Sequence, residues 1–111
     1  MNIEKLHNRK FKIFGSTWTI KIVDTIEEEK EEDGMHYYLG MTYNATRIIE
    51  VARNVYGTKV TENEMFKTFC HELIHAILNT GSYYKSSNDE PMVEFLGRGI
   101  AELIRQNILC K

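Results

Sequence analysis

Thr61-Glu62-Asn63-Glu64-Met65-Phe66-Lys67-Thr68-Phe69-Cys70-His71-Glu72-Leu73-Ile74-His75-Ala76-Ile77-Leu78 is the stretch on which the reading of this chain turns. Met65, Phe66, Phe69, Cys70, Leu73, Ile77 and Leu78 recur at the spacing of one helical face. Thr61 and Glu64 form a capping box that opens the helix, a hydroxyl for the orphan amides and a carboxylate three residues on to reach back. Gly81 is expected to close it as a left-handed cap. On such a helix residues four apart stack on one face, so His71 and His75 can aim a ring nitrogen at one point, with Glu72 beside them. The string is H-E-x-x-H, the pattern by which a helix binds Zn²⁺ through two histidines and uses the glutamate as a base.

A catalytic zinc takes three protein ligands and keeps one position for water, so a third ligand is owed. The chain has four histidines. His7 lies in a polar leader and His36 at the head of an expected strand, which leaves carboxylates as the better source. A second helix is expected from Asp89-Glu90-Pro91, since proline is well placed in a first turn. Its core stripe reads Val93, Leu96, Ile100, Leu103 and Ile104, with Gly97 and Gly99 allowing close packing. Glu90 lies nearer that stripe than Glu94 does and is the expected third ligand. Glu94, one turn later, either orients a ligand histidine by accepting its second N–H or serves as the ligand in Glu90's place.

The region before the helix reads as strands. Phe11 and Ile13, a turn at Gly15-Ser16, then Trp18, Ile20 and Ile22 predict a hairpin with one buried face. Asp24 to Gly34 is acidic and reads as a solvated loop or short exposed helix. His36 to Tyr43 reads as one long strand, Asn44-Ala45 as a tight turn, Thr46 to Val51 as a further strand, and Asn54 to Gly57 as a loop. Residues 1–10 read as a leader or frayed short helix. The predicted fold is therefore α+β: a small antiparallel sheet of three or four strands followed by two packed helices, one domain over residues 1–111.

Composition narrows the function. In 111 residues the formal net charge is −2, which leaves no basic footprint for nucleic acid. No apolar run is long enough to span a bilayer, and no signal-peptide pattern follows Met1, so a cytoplasmic protein is expected. Cys70 and Cys110 read as reduced thiols rather than a disulfide pair. Cys70 falls about 100° round the helix from His71 and is expected to pack in the core rather than bind metal.

At His71-Glu72-Leu73-Ile74-His75 and Asp89-Glu90-Pro91-Met92-Val93-Glu94 the chain resembles the gluzincin branch of the zincin metallopeptidases. There H-E-x-x-H supplies two ligands, and a glutamate on the next helix, often within Asn-Glu-x-x-x-Asp/Glu, supplies the third. The resemblance implies Glu90 as ligand and Glu94 as the carboxylate that orients a histidine. The small size and the sheet-then-helices order look like minimal metallopeptidase domains of phage and mobile elements, including the ImmA/IrrE-like group. The interval between His75 and Glu90 is shorter than in large gluzincins, which leaves little room for a substrate subdomain, and no N-terminal backing helix is evident, so a shallow site is implied.

The implied activity is peptide-bond hydrolysis with Zn²⁺ as cofactor, Glu72 moving the proton of a metal-bound water. The partner is a peptide or protein substrate added as an extra strand along residues 37–43. Tyr83, Tyr84, His36 and Tyr37 are within plausible reach as oxyanion donors, although each is also a natural packing aromatic. The alternative is a zinc-stabilised binding or regulatory module of the same fold without turnover.

Overall fold

Residues 2–106 are described by the computed structural model; Cys110 lies outside them. The predicted hairpin forms: β1 (Lys10–Ile13) pairs antiparallel with β2 (Ser16–Val23), Phe11 opposite Trp18 and Ile13 opposite Ser16. Its two-residue loop is Phe14-Gly15 rather than Gly15-Ser16. Both loop residues have positive φ, +47° and +83°, as a turn matched to the right-handed twist of the strands requires. Trp18, Ile20 and Ile22 alternate into the core.

The acidic run folds as strand rather than loop or helix. β3 (Glu27–Lys30) pairs with β4 (Gly34–Tyr37) in a separate two-stranded ribbon. The expected long strand from His36 to Tyr43 is thereby divided, its first half in β4 and its second in β5 (Gly40–Tyr43). β6 (Ile48–Ala52) follows, and then a minimal hairpin, β7 (Asn54–Val55) with β8 (Thr58–Lys59), stands where a loop was expected.

The main sheet is mixed, not antiparallel. Its order is β1-β2-β6-β5, with β2 and β6 parallel and β5 and β6 antiparallel. The reason is burial. Ile49, Val51 and Ala52 of β6 are fully buried, so the most apolar strand takes a central position. β5, with Gly40, Thr42 and Tyr43, is left at the edge. The chain leaves β2, makes the β3–β4 excursion, descends along the edge and returns as β6 between them. No crossover helix is needed.

The leader is part of the core. Ile3, in a short 3₁₀ turn (Ile3–Leu6), is only 1% exposed, and its amide donates to Glu62 Oε1 at 2.8 Å. His7 Nδ1 accepts from the Ile22 amide at 2.9 Å.

α1 (Glu62–Thr80) begins at Thr61, whose hydroxyl accepts from the Glu64 amide as the capping box requires. The Glu64 carboxylate turns to Lys67 instead, while Glu62 serves the 3₁₀ turn. Gly81 is not left-handed, with φ −84°; Ser82 takes that conformation at φ +66°. A short α2 (Tyr84–Ser87) follows, then α3 (Glu90–Arg105), where the Asp89 side chain caps the Met92 amide. α1 packs on β5 and β6, and α3 packs on α1. No described helix is long and apolar enough to cross a membrane.

The buried line of α3 is Val93, Gly97 and Ala101, with Ile100 and Ile104 partly buried. Leu96 and Leu103, expected inside, are about two-fifths exposed (39% and 41%). Small residues displace leucine because the helices touch through their backbones: a Cβ on Gly97 would lie 2.9 Å from His71 Cα and 3.0 Å from His71 N. Gly99, expected to aid the same contact, has nothing within 4 Å of such a Cβ.

The two glycines should therefore respond oppositely to alanine. Gly97→Ala should destabilise by about 1–3 kcal/mol through overpacking against α1. Gly99→Ala should stabilise by up to ~1 kcal/mol, from helix propensity alone. Urea denaturation of both variants measures the contrast.

Candidate metal centre

His71 and His75 sit one turn apart on α1 with ring centroids 5.0 Å apart and planes at 64°. Glu90, at the first position of α3, lies across both: Oε2 is 3.1 Å from His71 Nε2 and Oε1 is 3.0 Å from His75 Nε2. One ligand atom from each of the three residues falls within 4.8 Å of the others. A tetrahedral ion with N and O bonds near 2.0–2.1 Å sets its ligand atoms about 3.3 Å apart, close to the 3.0–3.1 Å that the Glu90 oxygens keep from the two ring nitrogens.

The outer nitrogens are also engaged. His71 Nδ1 is 2.7 Å from Glu94 Oε2, and Arg98 Nε donates to Glu94 Oε1 at 3.0 Å. Burial works against ionisation of Glu94, but the bonds from His71 and Arg98 outweigh it and hold the carboxyl below the usual carboxylate range. An ionised carboxylate only accepts, so His71 donates its Nδ1–H. In the neutral ring Nε2 is then a lone pair, and it faces a carboxylate oxygen 3.1 Å away. Two acceptors at that separation need a proton or a cation between them. His75 is held similarly, its Nδ1 2.9 Å from Ser87 Oγ, a hydroxyl on α2 that is only 4% exposed.

Glu72 lies beneath this cluster. The residue is 7% exposed, and Oε2 is 4.0 Å from His71 Nε2. That is too far for a hydrogen bond and near enough to share a water molecule. Burial pushes the Glu72 carboxyl up, and the Thr42 hydroxyl bond and the two histidines pull it partly back. Thr42 Oγ1 donates to Glu72 Oε1 at 2.8 Å and lies 3.1 Å from the Glu72 main-chain oxygen.

Two open clefts flank the cluster and share Tyr38, Gly40, His71 and Glu72. One, of about 470 Å³, runs towards Tyr37, Val55 and Arg98. The other, of about 590 Å³, runs towards Asn44, Asn79 and Tyr84. Of the expected oxyanion donors, Tyr37 and Tyr84 line these clefts. Tyr83 is exposed outside them, and His36 stands on β4 with Nε2 3.8 Å from Asp33. Cys70 is buried in the core, its thiol pushed up to about 11 by burial.

Thr42, Ser87 and Tyr38 were not singled out as site residues from sequence. For Thr42 a signal existed: Gly40 and Thr42 alternate onto one face of a strand. Ser87 had none, because a serine in a polar loop becomes buried only when α2 folds beneath His75.

Two measurements test this arrangement. Glu94→Ala and Ser87→Ala should each weaken Zn²⁺ binding about 10- to 100-fold in chelator competition, because each frees a ligand ring to turn. Iodoacetamide at pH 8 should modify Cys70 at least about tenfold more slowly than free cysteine, by peptide mapping, since a buried thiol pushed up by burial offers little thiolate. Comparisons with protein-family models, curated proteins and solved structures gave no match, so the functional reading rests on this geometry.

Proposed function

We propose that this chain is a zinc-dependent metallopeptidase of minimal gluzincin type, with a zincin-like arrangement of sheet edge, H-E-x-x-H helix and ligand-bearing second helix. The observation that carries the proposal is the convergence of two imidazole Nε2 atoms and the Glu90 carboxylate at 3.0–3.1 Å, with the Glu72 carboxylate 4.0 Å behind. His71, His75 and Glu90 would hold the ion. A bound Zn²⁺ supplies Lewis acidity, polarising a carbonyl and lowering the pKa of a coordinated water towards ~7.

The remaining work falls to side chains. Glu72 takes a proton from the attacking water and returns it to the leaving amine. Its burial suits both halves of the cycle, because a carboxylate raised by desolvation is a stronger base and still a competent acid. Glu94 and Ser87 fix the ring orientations of His71 and His75.

The substrate would lie along β5. Leu39 O accepts from the Ala52 amide, and hydrogen-bonded pairs alternate along an antiparallel ladder. The backbone groups of Gly40 and Thr42 therefore face the free edge. An extended peptide adding there runs past Glu72 and through both clefts.

Glu72→Gln separates this reading from a zinc-stabilised binding module. Zinc stoichiometry and melting temperature should be unchanged, while cleavage of an internally quenched degenerate peptide library falls about 10²- to 10⁴-fold. His75→Ala should lose zinc as well as turnover. Wild-type protein that is fully zinc-loaded and cleaves no peptide would leave only the binding module standing.

A further inference from the structure

Resting on the hydrolase reading above, we propose that Thr42 is the positioning residue for Glu72, presented by the same strand edge that receives the substrate. A glutamate has three rotatable bonds, and position on a helix fixes none of its outer torsions. Among the described residues, the side-chain hydrogen bond of Glu72 is to Thr42 Oγ1, at 2.8 Å on Oε1. Pinning Oε1 leaves Oε2 as the oxygen turned towards His71 Nε2.

The arm that does the pinning is rigid. Threonine is branched at Cβ and restricted in χ1. Its strand position is opposite Ile49, a fully buried residue of the central strand. Thr42 Oγ1 also lies 3.1 Å from the Glu72 main-chain oxygen, so the strand contacts α1 at the base of the side chain as well as at its tip.

Gly40 completes the holder. It shares the face of Thr42, two residues along the strand. A Cβ there would stand 2.5 Å from Thr68 Cγ2 and 2.9 Å from Glu72 Cγ. The missing side chain at 40 is the space that the Glu72 stem fills. A larger residue there would have to push aside Thr68 or the Glu72 stem. The pair Gly40 and Thr42 thus couples the placement of the base to the strand that binds the peptide: their backbones face the substrate edge and their side-chain positions grip Glu72.

The test compares zinc-loaded wild type, Thr42→Val, which keeps the shape and removes the hydroxyl, and Thr42→Ser, which restores it. Each is assayed on the quenched peptide library, and each crystal structure is determined for the placement of the Glu72 carboxylate. In Thr42→Val, kcat should fall about 10- to 100-fold, the cost of misplacing a reacting group by about an ångström. KM and zinc affinity should be unchanged, and the Glu72 carboxylate should leave its wild-type position. Thr42→Ser should recover to within about threefold, with Glu72 back in place. A Glu72 carboxylate unmoved in Thr42→Val overturns the proposal, as does wild-type turnover in that variant or a loss confined to KM or zinc affinity. An active wild type beside an indifferent Thr42→Val sinks this role alone. A wild type that cleaves nothing sinks the hydrolase reading and this role with it.

Discussion

Everything in the candidate site depends on how closely α3 lies on α1. The contact is made by backbone at Gly97 against His71, where even a methyl group would stand 2.9 Å from Cα. Glu94 and Glu90 precede Gly97 by about one and two helical turns, so a helix seated at Gly97 carries both carboxylates up the same side. Glu94 arrives at the outer nitrogen of His71, and Glu90 arrives between the inner nitrogens of both rings. A wider spacing would leave the acids in solvent and the histidines as ordinary half-buried polar side chains. The small residues of α3 are thus what brings its acids up to the histidines.

That approach has an electrostatic consequence. Glu94 is ionised and paired with Arg98, so the outer nitrogen of His71 must donate and the inner one is left as an acceptor aimed at another acceptor. The arrangement calls for a proton or a cation at the centre of the cluster. The supports of the two rings differ: the Glu94 carboxylate stands behind His71 and the Ser87 hydroxyl behind His75. Glu72 is withdrawn from solvent under β5, bonded to Thr42. It therefore meets the cluster from the sheet, while Glu90 and Glu94 meet it from α3.

The sheet contributes by what it leaves unpaired. β6 is the most apolar strand and inserts between β2 and β5, which makes the polar strand β5 the edge nearest to α1. The parallel pairing of β2 with β6 follows from that insertion. The acidic excursion of β3 and β4 leads from β2 to β5, and its return through Tyr38 lines both clefts. Edge strands are usually blunted against stray pairing. Here the edge runs free beside the buried Glu72 carboxylate.

The sequence by itself determined the elements whose signal is local. Thr61 and the apolar spacing of α1 set the helix and put His71 and His75 on one face. Asp89-Glu90-Pro91 set the start of α3. The hairpin from Phe11 to Val23 declared itself by alternation, because one face of each strand meets a core. Only the tertiary structure decided the rest, for reasons that are non-local. Which strand is central depends on competition among strands for burial, so a mixed sheet stood where an antiparallel one was expected. Which face of α3 is buried depends on how near α1 can come, and backbone contact at Gly97 won over the larger leucines at 96 and 103. The left-handed residue fell on Ser82 rather than Gly81, because the chain had to turn into α2. The partner of the His75 ring, Ser87, and the residues that meet Glu72, Gly40 and Thr42, lie 12 to 32 residues from what they touch. A pattern read along the chain carries no distance across it.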